Sequence, residues 1–342
     1  MERLNVNELE EISFATVKEI WKKNIMPISV YIHNPFCLSI CDFCAYKGSI
    51  PVSGALETYY AKYLPYQIQS YKYILKNNKI SSWFFGGGTP SLITPNYLRN
   101  ILDLLPNIKK YGEKTFEIHP AKFNVELLDI LQEYNFNNII IGVQSFNSQV
   151  LSKTNRIPAS EEQIKKIVEE VHRRKMNVWI DIVGLINDDP SEINIFKEDI
   201  LKAIKLNPDE ISICTNFFCK NKHIGITVKM LSEILKNLPL WNIYEMNDDF
   251  SEKTLKAYFL KKKAIRLLNR SKNIINSCQF IKDIDLPDSQ KTVSVLGIGS
   301  YENENRETFS LCVTSPSLKK YTYIERTHNG KRYFFKVIDK NE

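Results

Sequence analysis

Between residues 28 and 215 the chain alternates short β-branched and aromatic runs with longer amphipathic segments, and that rhythm leaves few folds open. Runs at 28–33, 80–85, 114–119, 138–143, 177–184 and 210–215 read as strands. Between them, segments at 55–76, 97–105, 125–134, from Ser160 onward and at 191–205 carry helical spacing. The helix opening at Ser160 is the best marked. Ser160 and Gln163 suit a capping box, and Ile164, Ile167, Val168 and Val171 fall on one face. Such alternation implies parallel strands, because a parallel pair needs a long crossover, usually a helix. A closed eight-unit barrel normally takes about 250 residues, and only six units are visible here. The expected fold is therefore α/β, a partial, open (β/α)6 barrel of the TIM-like kind.

Beyond residue 245 the rhythm lapses. Residues 251–268 read as helical, and two β-rich runs flank Asn329-Gly330, a strong hairpin signal. The expected division is a short N-terminal extension (1–27), the partial barrel (28–245) and a small mixed α/β C-terminal subdomain (246–342) serving substrate. With 342 residues, 43% of them apolar and 25% charged, the chain can bury a sizeable soluble core. Its net charge of +7 is spread over scattered lysines, which reads as solvated surface rather than a nucleic-acid footprint. No run of about 18 apolar residues exists to span a membrane. The first residues, MERLNVNELEEISF, are acidic where a secretory leader is basic and then apolar, so the expected location is cytoplasmic. Seven cysteines, an odd number at uneven spacing, argue against a secreted disulfide framework.

Three of those cysteines, Cys37, Cys41 and Cys44, crowd into FCLSICDFC, directly after the first strand. The loops at the C-terminal ends of parallel strands are where β/α barrels keep their chemistry. Soft thiolates suit iron–sulfur or zinc. Structural zinc takes four ligands, and no fourth Cys or His follows at short spacing; His33 lies in the strand and reads as a packing or supporting residue. A [4Fe–4S] cluster on three cysteines leaves one iron open to another molecule. A second motif, WFFGGGTPSL (83–92), puts a glycine run after a strand, where backbone amides can approach a polar ligand closely. It has neither the lysine of a phosphate loop nor a dinucleotide fingerprint. Glu117, Gln144 and Asp181 stand at or in later strand ends, with Arg156 following Gln144. Together they converge on one barrel mouth, an arrangement that suits a polar cofactor.

YIHNPFCLSICDFC is similar to the radical S-adenosylmethionine signature C-x-x-x-C-x-x-C, and above all to the oxygen-independent coproporphyrinogen III oxidase branch. The resemblance runs from about residue 28 to 215, with its motifs in the family's order. It implies a [4Fe–4S] cluster on Cys37, Cys41 and Cys44, with S-adenosylmethionine on the open iron. Gly87, Gly88 and Thr89 resemble the segment that binds the amino end of the methionine moiety. Glu117 matches E-x-x-P, Gln144 matches G-V-Q-S-F, Arg156 the later arginine and Asp181 D-x-x-x-G-L; the implied work is holding ribose hydroxyls, methionine carboxylate and adenine surroundings. Arg156, with its bidentate fork, is the implied carboxylate partner, and Tyr31 and Phe43 the walls. Reductive cleavage would give a 5′-deoxyadenosyl radical that abstracts hydrogen from a small organic substrate, with a flavodoxin- or ferredoxin-type electron donor.

The sequence also departs from the branch. Asn34 replaces an apolar residue, Ala45 and Tyr46 follow Cys44 where the decarboxylating members carry another cysteine, and Ile186 replaces a proline. The H-N-x-x-Y-W segment of the heme-chaperone relatives is missing, while LGIGSY (296–301) faintly resembles the family's late G-x-G segment. The expectation is a radical enzyme modifying a small molecule, by C-methylation or by cyclopropane or ring formation that takes a second S-adenosylmethionine as carbon donor. The alternatives are porphyrinogen decarboxylation, a non-catalytic heme chaperone and a structural zinc protein. Cys214, at the end of the sixth run, is a speculative substrate-facing residue; Cys219, Cys278 and Cys312 read as small buried hydrophobes rather than a second cluster.

Overall fold

The computed structural model describes residues 9–44, 48–110, 112–184, 192–215, 241–246, 263–268, 294–303, 306–314, 321–328 and 330–337. The repeating unit starts with β2 (Ile28–Asn34), and continues through α2 (Ala55–Thr58), a π-turn at Tyr59–Tyr63 and α3 (Leu64–Asn77) to β3 (Ile80–Gly87). Then follow α4 (Pro95–Leu104), β4 (Glu113–Ile118), α5 (Val125–Glu133), β5 (Asn138–Gln144), α6 (Ser148–Lys153), α7 (Glu161–Arg173), β6 (Asn177–Gly184), α8 (Ile193–Lys205) and β7 (Glu210–Thr215). Strands β2 to β7 are sequential parallel neighbours.

Local chemistry accounts for the helices. Thr94 caps α4 with a proline in its first turn, and Asn124 caps α5. The expected capping box on α7 is present, with the Ser160 side chain accepting from the Gln163 amide and Gln163 returning the bond. Ile164, Ile167, Val168 and Val171 are all buried, each contributing roughly 1.5–3 kcal/mol of apolar burial.

Sequence rhythm does not reveal how the chain's two ends join this sheet. β1 (Leu9–Ile12) precedes α1 (Phe14–Lys22), and the late strands are β8 (Trp241–Met246), β9 (Lys263–Leu268), β10 (Ser294–Ile298), β11 (Tyr301–Asn303), β12 (Arg306–Thr314), β13 (Tyr321–His328) and β14 (Lys331–Val337). The sheet order is β1-β14-β13-β12-β10-β2-β3-β4-β5-β6-β7-β9-β8, with β11 paired to β12. It is open, with β1 and β8 at its edges, as a partial barrel requires. β10 lies parallel to β2, Gly297 opposite Tyr31, and turns the sheet antiparallel on its far side. One sheet thus runs across the expected boundary at 245/246. β13 and β14 form the expected hairpin, closing at His328 opposite Lys331 with Gly330 at φ +70°.

One expectation is corrected. Residues 263–268 form a strand, not the end of a helix over 251–268, whose residues 251–262 lie outside those described. KAIRLL contains good helix formers, but propensity is a weak prior. Here β7 and β8 flank it on both sides, so two parallel ladders bond its backbone. Among the described residues, no helix is long and apolar enough to cross a membrane.

Candidate active site

The three cysteines occupy one loop at the C-terminal end of β2. Cys37 N–H donates to Ser49 O at 2.9 Å and Ser49 N–H to Pro35 O at 2.9 Å, closing the loop's base. Farther out, Asp42 N–H donates to Thr154 O at 3.0 Å and Asn155 Nδ2 to Asp42 Oδ2 at 3.0 Å, pinning the loop to the end of α6. Cys37 and Cys41 are buried, Cys44 is half-buried, and none of the three is in a disulfide. Asn34, the departure from an apolar residue, is fully accommodated: its Nδ2 donates to Phe36 O at 2.7 Å, and its Oδ1 accepts from Tyr60 OH on the π-turn. Tyr59 OH, one residue earlier, donates to His33 O at 2.7 Å.

The glycine run lies against this loop. Gly88 N–H donates to Asn34 O at 2.7 Å, Thr89 N–H to Phe36 O at 2.6 Å, and Leu38 N–H to Thr89 Oγ1 at 3.4 Å. A Cβ on Gly88 would stand 2.9 Å from Cys37 Sγ, and one on Gly48 2.7 Å from the same sulfur. Two glycines therefore keep the space around that thiol clear. Gly87, at φ +113°, turns its N–H toward Glu117 Oε2 at 3.2 Å.

Glu117 ends β4. Burial first, then the nearby charge of Asp181, push its carboxyl up to about 8, against the opposing pull of the Gly87 N–H. On β5 a bulge after Gly142 sets Gln144 at φ +69°, and Ser145 N–H reaches back to Val143 O at 2.9 Å. That is a γ-turn centred on Gln144, a strained conformation of the kind that persists where surrounding structure enforces it. The enforcement comes from buried Asp199 on α8, whose carboxylate accepts Ser145 Oγ at 2.6 Å and Phe146 N–H at 2.7 Å. Arg156 follows α6; its Nη2 donates to Gly142 O and its Nη1 lies 4.0 Å from Cys41 Sγ. Half-buried Tyr31 stacks near Phe84 at 5.9 Å, and Phe43 packs with Cys41, Val150, Leu151 and Val183.

The structure thus brings together Cys37, Cys41, Cys44, Tyr31, Phe43, Gly87, Gly88, Thr89, Glu117, Gln144, Arg156 and Asp181 at the C-terminal ends of β2 to β6. Cys214 lies at the end of β7 beside Val183, and its side chain lies outside those described, as do Cys219, Cys278 and the Cys312 side chain. Reading the sequence missed Gly48, Asp199 and His119. Of these only His119 carried a signal, two residues beyond Glu117 on the same strand end.

The donor set fits a [4Fe–4S] cluster. Three cysteines share one loop, Gly48 and Gly88 keep a clearing beside Cys37, and Cys41 and Cys44 lie close enough for their charges to act on Cys37. Cys37 is pushed up to about 11, chiefly by burial, so ligation must displace its proton. Around the clearing, a guanidinium, two carboxyl groups and a glycine-rich backbone suit a ligand carrying both an ammonium and a carboxylate.

The chain matches the Radical SAM superfamily model over residues 31–200. It is 32% identical over 190 residues to the heme chaperone HemW of Buchnera aphidicola subsp. Schizaphis graminum, covering 54% of this chain and 50% of that one. It is 30% identical over 220 residues to the oxygen-independent coproporphyrinogen III oxidase of Helicobacter pylori, covering 61% and 46%. The chain spans about half the length of these relatives. Its fold is similar to that of coproporphyrinogen III oxidase (HemN) from Escherichia coli, with TM-score 0.62 and 17% identity, covering 97% of this chain and 77% of that one. With its cysteine loop, glycine run and strand-end polar residues in the expected order, the chain belongs to the radical S-adenosylmethionine superfamily and is similar to its oxygen-independent coproporphyrinogen III oxidase and heme chaperone members.

Proposed function

We propose that this protein is a radical S-adenosylmethionine oxidoreductase acting on a tetrapyrrole-class substrate, by the type of decarboxylation for which its coproporphyrinogen oxidase relatives are named. The observation that carries the reading is the placement of three cysteines on one loop beside Arg156, Glu117 and Asp181, with Arg156 Nη1 4.0 Å from Cys41 Sγ. Cys37, Cys41 and Cys44 would hold the cluster, which when bound supplies the electron for reductive cleavage of S-adenosylmethionine to a hydrogen-abstracting radical. Arg156 would offer its guanidinium to the cofactor's carboxylate; Glu117, Gly87 and Thr89 would receive its amino end; Gln144 and Asp181 would bond its ribose. Tyr31 and Phe43 wall the cofactor and exclude water. Electrons would come from a flavodoxin- or ferredoxin-type donor.

The relatives' names favour this reading over the C-methylation or ring formation expected from the sequence, which would take a second S-adenosylmethionine. A second reading, a heme chaperone, is supported by the identity to HemW. Anaerobic reconstitution with iron and sulfide, followed by dithionite, S-adenosylmethionine and coproporphyrinogen III, separates them. Deoxyadenosine together with a decarboxylated porphyrinogen supports the first. Tight stoichiometric heme binding without substrate-dependent deoxyadenosine replaces it with the second, and S-adenosylhomocysteine as co-product would restore carbon transfer.

A further inference from the structure

Two buried imidazole nitrogens near the site, His33 Nε2 and His119 Nε2, have no hydrogen-bond partner. An unmade buried hydrogen bond is costly, and such groups call for an explanation. His33 has one close by. It lines, with Ile32, Phe85, Ile101 and Phe116, a cavity of about 20 Å3, room for one water. His119 does not line that cavity.

His119 begins the short turn after β4 and is 4% exposed. Its Nδ1 accepts the Ala121 N–H at 3.2 Å, so the neutral ring carries its proton on Nε2. Burial, and then the charge of Arg156, hold its basicity down to about 3, so it stays a neutral donor at any working pH. β4 ends at Ile118 and His119 continues it in extended conformation, so alternation puts His119 on the same face as Glu117; a Cβ on Gly142 would stand 3.2 Å from Arg156 Nη2 and 3.8 Å from the carbonyl oxygen of Ile118, the residue before His119. A fixed N–H donor beside a guanidinium makes a two-part site for one anionic group.

We infer that His119 is a cofactor-binding residue whose Nε2–H donates to the carboxylate of S-adenosylmethionine beside Arg156. This rests on the cofactor reading above. Capping the turn explains Nδ1 alone. It leaves the buried Nε2–H unexplained.

The test is titration calorimetry on anaerobically reconstituted protein, with S-adenosylmethionine and with its decarboxylated analogue, which lacks only the carboxylate. His119→Phe removes both ring nitrogens; His119→Asn keeps a capping oxygen but withdraws the distal donor. Both variants should lose roughly 10- to 100-fold in affinity for S-adenosylmethionine. For the decarboxylated analogue they should bind within about twofold of the parent, with cluster absorbance unchanged in both and melting temperature unchanged in His119→Asn, which keeps the cap. Affinity for S-adenosylmethionine retained by His119→Asn, or equal losses for both ligands, would overturn the role. A parent protein that carries a cluster yet binds no S-adenosylmethionine would instead refute the cofactor reading.

Discussion

Two buried polar clusters, one on each side of β2, are in opposite states of completion. On the β10 side, Glu325 is 0% exposed and fully answered. It accepts Arg332 Nε at 2.6 Å and Nη2 at 2.9 Å, Tyr71 OH at 2.7 Å and Ser300 Oγ at 3.1 Å. Arg332 in turn lies 5.1–5.7 Å from the ring centres of Phe14, Tyr66, Tyr71 and Phe334. On the β3 side, glycines keep space beside the Cys37 thiol, burial raises the Glu117 carboxyl to about 8, and the His119 donor goes unmet. A satisfied buried network rigidifies a fold, whereas an unsatisfied one at a cleft awaits a ligand. The contrast separates a structural flank from a functional one without reference to any relative.

The largest effect should follow loss of a thiol. Cys41→Ala should reduce iron and sulfide in the reconstituted protein to a small fraction of the parent's and abolish deoxyadenosine formation, while leaving far-ultraviolet circular dichroism unchanged. A variant that still cleaves S-adenosylmethionine would sink the cluster assignment. On the opposite flank, Arg332→Met should destabilise the fold by about 3–5 kcal/mol, the range for breaking a buried ion pair, as read by denaturant unfolding. Its cofactor affinity should hardly move, and a large loss there would erase the distinction between the flanks.

Arg156→Met should reverse that pattern. It should weaken S-adenosylmethionine binding by roughly 10- to 100-fold, the worth of one charge-assisted bond, and spare cluster content and unfolding midpoint. A last test reads pH rather than a lost contact and concerns Glu117, whose folded-state value of about 8 stands above its ordinary 4.5. Between those pH values the folded, ligand-free protein keeps a proton that the unfolded chain has released. Stability from this group is therefore full below about 4.5, falls as pH rises toward about 8 and levels off above. Melting temperatures from pH 5 to 9 should show that decline in the parent and a shallower one in Glu117→Gln. Parallel slopes would mean that Glu117 is already ionised.

Much of this site was legible because it is local. Cys37, Cys41 and Cys44 lie within eight residues, and Glu117, Gln144 and Asp181 each stand in or directly after a run whose strand character is written in its own side chains. The γ-turn at Gln144 was not, since the turn is held by Asp199 from a helix four elements later. Nor was the unmet Nε2–H of His119, because the sequence does not say which ring nitrogen a turn will engage.

By itself, then, the sequence determined the parallel strand–helix alternation from β2 to β7, the capped start of α7, the Asn-Gly hairpin and the thiol loop. Each of these rests on periodicity or spacing within a few residues, which backbone geometry translates directly. Only the tertiary structure decided that β10 pairs with β2, that 263–268 become a strand between β7 and β8, and that Glu325 finds Arg332, Tyr71 and Ser300. Those outcomes depend on hydrogen bonds and burial between segments far apart in the chain, where local propensity is weaker than the ladders and contacts a neighbour supplies.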